Sequence, residues 1–78
     1  MMVNTNELRA ARVRIGLNQV ALAKKIGMTP SKLSMKENGK VPFSVKDIDN
    51  IAGVLGLSSD DIINIFFTNA VASKSKSA

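Results

Sequence analysis

Cysteine and histidine are both absent from the chain, and each absence removes a class of chemistry. Without thiols there can be no disulfide and no thiolate metal site. Without imidazole the commonest metal ligand and the commonest general base near neutral pH are gone. Tyrosine is missing too. The acids Asp47, Asp49, Asp60 and Asp61 fall at expected helix starts, where capping accounts for them. The glycines read as helix stops, not as a phosphate-cradling loop. No enzyme activity, metal, cofactor or small-molecule substrate is therefore expected. Long apolar runs are also lacking, so no membrane span is expected. Residues 1–6 carry neither a basic n-region nor an apolar h-region, which argues against a signal peptide and for a cytoplasmic location.

What is present fits one small domain. A chain of 78 residues has room for a single, limited core. Stability must come from packed Leu, Ile, Val, Met and Ala. Lys plus Arg number 11 against 6 Asp plus Glu, for a net charge of +5. The charge is unevenly placed. Arg9, Arg12, Arg14, Lys24, Lys25, Lys32, Lys36 and Lys40 fall in a stretch whose only acid is Glu37. From Asp47 to Asp61 there are four acids and no base. A positive pole of this kind suits a polyanion such as DNA.

Apolar residues recur at helical spacing, and alternating β-branched runs are missing, so the fold class expected is all-α. Five short helices are predicted. The first covers residues 5–14, capped by Asn4 with Glu7 completing a capping box, with Leu8, Ala11 or Arg12, and Ile15 inward. The second covers 19–25 behind Asn18, with Val20, Ala23 and Leu22 or Ile26 inward. The third starts after Thr29 with Pro30 in its first position, and runs to Glu37 or Asn38. Ser44 and Asp47 form a capping box opening the fourth, 45–55, whose buried stripe is Ile48, Ile51, Ala52 and Leu55. Ser58 caps the fifth, 59–67. Gly16, Gly27, Gly39 and Gly56 mark the ends. Residues 1–67 form the domain, and 68–78 are expected to be a disordered tail.

The informative span is residues 16–40, GLNQVALAKKIGMTPSKLSMKENGK. Two closely crossed helices need a small residue at the crossing, which Ala23 supplies. Four residues on, the turn needs a residue tolerant of positive φ, which Gly27 supplies. Six further on, Leu33 provides the buried aliphatic of the second helix. This span resembles the lambda-repressor-like, Cro/cI-type helix-turn-helix family, and the likeness extends from about Asn6 to Phe67.

The resemblance implies roles. Asn18 and Gln19 would open the second helix against a phosphate, and Asn38 and Lys40 would touch the backbone beyond the third. Arg12 and Glu37 would form a structural ion pair. The third helix would enter the major groove with Pro30, Ser31 and Met35 facing bases, joined by Lys32 and Ser34. This set is poor in forked donors: guanine is read by Arg or Lys and adenine by Asn or Gln. Family members usually carry a bulky apolar residue where Lys36 stands. Either its stem covers the core while its amine reaches water, with Met35 taking over some packing, or the register near the end of the third helix differs.

Two functions stay open at this point. One is a phage-type Cro-like repressor binding double-stranded operator DNA, as a homodimer if surplus apolar residues of the fifth helix (Ile62, Ile63, Ile65, Phe66, Phe67) form a seam. The other is an antirepressor or modulator that binds a phage repressor protein, alone or together on DNA. Either would act in the cytoplasm of a bacterial host cell.

Overall fold

The structure is a computed structural model that describes residues 3–67. Five oxygen-bearing side chains start five helices. Asn4 opens α1 (Thr5–Arg14), Asn18 opens α2 (Gln19–Lys25) and Thr29 opens α3 (Pro30–Glu37). Ser44 opens α4 (Val45–Leu55) and Ser58 opens α5 (Ser59–Phe66). Each side chain accepts a hydrogen bond from a first-turn N–H, satisfying one orphan donor. There is no strand among the described residues. No described helix is long and apolar enough to cross a membrane. The tail expected at 68–78 lies outside the described residues.

The helices pack in a fixed order: α2 on α3, α1 on α5, and α4 against both α2 and α5. Their shared core is Leu8, Ala11, Leu22, Ala23, Leu33, Phe43, Ile48, Ile51, Leu55, Ile65 and Phe66. Ala23 is fully buried, as a close crossing of α2 and α3 requires. Gly27 takes φ +68 at the turn between them, a conformation that strains any residue with a Cβ. Phe43 and Phe66 meet edge to face, ring centroids 5.2 Å apart.

Several sequence expectations need correction. Asn4 and Glu7 do not complete a capping box. The Asn4 side chain accepts from the Glu7 N–H at 3.2 Å, but the Asn4 N–H donates to the Ile65 carbonyl at 2.6 Å. The backbone of α5 has taken that donor and ties the start of α1 to the end of α5. Ile15 is 46% exposed and Val20 is 61% exposed, not inward. Both lie at the margins of short helices, where α2 has only enough length to bury Leu22 and Ala23. Ala52 is half-buried. α5 stops at Phe66, with Phe67 as its C-cap. Of its apolar residues, Ile65 and Phe66 are buried, Ile62 is partly buried, and Ile63 and Phe67 are exposed.

Burial separates two substitutions of apolar residues. Phe66→Ala should destabilise the domain by about 3–5 kcal/mol, whereas Val20→Ala should stay within about 0.5 kcal/mol of the parent. Urea unfolding followed by circular dichroism measures both. Equal losses would contradict the burial described for these two side chains.

Candidate nucleic-acid interface

The span from α2 to α3 sets a row of side chains outward. At the start of α2, Asn18 is exposed and its Oδ1 accepts the Ala21 N–H at 2.8 Å. Gln19 follows, half-buried. On α3, Thr29 caps the Lys32 N–H at 3.2 Å, and Pro30 fills the first position, where no N–H is needed. Pro30, Ser31 and Lys32 are exposed, Ser34 is half-buried, and Met35 is 42% exposed. Leu33 alone of the apolar residues of α3 is fully buried. Beyond the helix, Gly39 takes φ +80 and the Lys40 N–H returns to the Met35 carbonyl at 2.9 Å. That turn leaves Asn38 and Lys40 exposed.

The end of α3 is held by two ion pairs, one buried and one partly buried. Arg12 Nη2 lies 3.5 Å from Glu37 Oε1, with both side chains buried. Arg12 Nη1 also donates to the Leu17 carbonyl at 3.3 Å. The Thr5 hydroxyl donates to the Glu37 carbonyl at 2.6 Å. These contacts bring α1, the α1–α2 loop and α3 together around one guanidinium. Arg12 Nε and Glu37 Oε2 are buried without a hydrogen-bond partner among the described residues.

The second pair joins Lys36 to Asp47. Here the structure shows an outcome outside both expectations for Lys36: its amine is paired with an acid. It donates to Asp47 Oδ2 on the first turn of α4. Met35 does not take over core packing either, since it faces outward. Asp47 is shared between two tasks. Its carboxylate accepts the Ser44 N–H at 3.0 Å, and its own N–H donates to Ser44 Oγ at 3.0 Å, closing the capping box of α4. Partial burial works against ionisation of Asp47, but the Lys36 ammonium and the Ser44 N–H and hydroxyl outweigh it and hold the carboxyl below its ordinary value. Asp61 is likewise lowered, chiefly by the Ser58 N–H and hydroxyl, with Arg14 adding a charge attraction.

The two pairs revise the count of available cations. Arg12 and Lys36 are neutralised inside the protein, so six of the eight basic residues between Arg9 and Lys40 remain to face solvent. Lys46 adds an exposed cation just outside that stretch. It lines a groove between α3 and α4 together with Lys32, Lys36, Asp47 and Asn50. Sequence reasoning missed Lys46, Asn50 and the Lys36–Asp47 link. One signal was present: a lysine at an inward position of one helix, and an acid in the first turn of the next.

A family model described as helix-turn-helix matches residues 8–62 of the chain. The match begins within α1, spans α2 through α4 and enters α5.

Two consequences of the ion pairs are measurable. Glu37→Ala strands a buried guanidinium and should lower stability by about 3–5 kcal/mol. Arg12→Met with Glu37→Leu should recover most of that loss; a double-mutant cycle with no coupling would deny the pair any role. The second concerns pH. The folded-state pKa of Asp47 lies below the ordinary 3.8, so its carboxylate adds stability above that pH. The contribution vanishes as pH falls through the lowered value. Unfolding titrations below about pH 4 should therefore show a shallower acid loss for Asp47→Asn than for the parent.

Proposed function

Because the chain belongs to the lambda-repressor-like helix-turn-helix family, whose members regulate transcription by binding DNA, we propose that it is a phage-type Cro-like repressor whose α3 enters the major groove of an operator. The observation that carries this reading is the outward display of Pro30, Ser31, Lys32 and Met35 on α3, with exposed Lys24 and Lys25 before it in sequence and exposed Lys40 and Lys46 after it. A protruding helix with cations beside it matches a groove lined by phosphates. Gln19 and Asn18 at the start of α2, and Asn38 and Lys40 after α3, are the backbone-contacting residues. Arg12 and Glu37 hold α3 in place without touching DNA.

Operators with paired half-sites are bound by two-fold dimers. The exposed Ile63 and Phe67 on and just after α5 support a homodimer seam at that end of the molecule. Such a protein works where the chromosome is, in the cytoplasm of a bacterial host cell.

A second reading is favoured by one observation. Pro30 and Met35 are apolar and exposed on the working face, and no Arg, Asn or Gln stands on α3. Methionine adapts well to protein surfaces. In this reading the chain is an antirepressor or modulator that engages a phage repressor, alone or with it on DNA.

The isolated protein should bind operator duplex with an affinity that falls steeply as salt rises. Ser31→Ala and Met35→Ala should reorder its preference among operator variants. Lys40→Ala should weaken all sequences alike and reduce the salt slope by about 0.9. If the isolated protein shows no salt-dependent binding, yet forms a stable complex with a partner repressor that Met35→Ala disrupts, the second reading replaces the first.

A further inference from the structure

The groove between α3 and the start of α4, about 370 Å³ in volume, carries an unusual mixture of charge. Lys32, Lys36 and Lys46 line it, with Asp47, Thr29 and Asn50. Lys36 and Asp47 cancel each other as an ion pair. Lys32 and Lys46 are exposed, and neither forms an ion pair among the described residues. Two free ammonium groups beside a hydroxyl and an amide suit an anion with several acceptor oxygens. Lys32 is three residues from Met35 on α3, so the two are neighbours on the helix surface and the groove borders the outward stripe.

We propose that this groove is a phosphodiester site, in which Lys32 and Lys46 contact a backbone phosphate of duplex DNA and Lys36 cancels the charge of Asp47. The proposal rests on the DNA-binding reading and adds a site to it. Its logic is a conflict between two demands on one residue. Asp47 is needed to close the capping box of α4. Its carboxylate also lines the groove, where an uncompensated negative charge would repel phosphate. An apolar residue in place of Lys36 would fill the same space but leave that charge bare. A lysine there fills the space with its stem and cancels the charge with its amine.

Substitution separates this role from a merely structural one. Removing either partner breaks the same ion pair, so a packing role makes both changes act in the same direction. A charge role makes them opposite. Binding is measured by fluorescence anisotropy of a short mixed-sequence DNA duplex over a series of salt concentrations, with the full chain. Lys36→Met should weaken binding about tenfold at low salt. Asp47→Asn should tighten it, although it loses the same pair. Lys32→Gln and Lys46→Gln should each reduce the slope of log affinity against log salt by about 0.9. Thermal melts establish that each variant is folded at the assay temperature. If Lys36→Met is not, Lys36→Gln removes the charge and keeps a hydrogen-bond donor for Asp47.

Three results would overturn the proposal. The first is a normal salt slope for the parent that both Lys32→Gln and Lys46→Gln retain; the DNA-binding reading then survives and the groove does not. The second is weaker binding for the Lys36 and Asp47 variants alike. The third is saturation by inorganic phosphate, titrated alone and followed through the amide signals of Lys46 and Asn50, with the duplex left unbound. That result assigns the groove to a small free anion. A parent protein with no salt-dependent duplex binding removes the underlying reading as well, and is told apart by that control.

Discussion

Lys36 and Glu37 are consecutive, oppositely charged and buried, and the position of α3 depends on where each finds its partner. Consecutive residues on an α-helix point about 100° apart. The two side chains therefore reach different elements: Lys36 meets Asp47 on α4, and Glu37 meets Arg12 on α1. A single apolar contact would hold the end of α3 while allowing it to roll or slide. Two directional contacts at a wide angle define its rotation. Burying these charges is expensive, and Arg12 Nε and Glu37 Oε2 are buried without a hydrogen-bond partner among the described residues. The pairs thus add more to the definition of α3's orientation than to net stability.

That rotation decides which residues of α3 remain outside. With Leu33, Lys36 and Glu37 turned inward, Pro30, Ser31, Lys32 and Met35 are exposed. The helix has two lysines, and the fold removes one of them from any role in base readout. Lys32, the remaining one, borders the α3–α4 groove. The same arrangement links the helix to its neighbours' caps. Asp47 serves the start of α4 and the end of α3 with one carboxylate, so the loop between them is closed at both ends by one side chain.

The limits of the helices were legible because their signals are local. Asn4, Asn18, Thr29, Ser44 and Ser58 offer oxygen caps, and glycines with positive φ follow four of the helices. Such signals need no knowledge of tertiary contacts. Periodicity was less informative in α2, where seven residues do not resolve Val20 from the buried face. Phe43 lies between helices, so no helical pattern marks it, yet its ring packs on Phe66 in the core. The Arg12–Glu37 contact could be named from the family resemblance. The Lys36–Asp47 contact could not, because a lysine at an inward position has two solutions, reaching water or finding an acid. Only the spatial arrangement of α3 and α4 selects between them.

These constraints divide the work of the proposed interface. Specific hydrogen-bond readout needs long forked donors, and the outward stripe of α3 has Ser31 and Met35 instead. Affinity must then come chiefly from phosphates, through cations outside that stripe, and such binding is indifferent to sequence. Selectivity is left to short polar contacts, to apolar contact with thymine methyls, and to the shape of the duplex. Contacts of this kind tolerate little error in position, since a gap of about an ångström forfeits up to about half of a methyl contact's attraction. A recognition helix with weak chemistry therefore depends more, not less, on being rigidly held. The two ion pairs supply that rigidity, which accounts for three charged side chains, Arg12, Lys36 and Glu37, in the interior of so small a domain, where apolar residues would pack with less penalty.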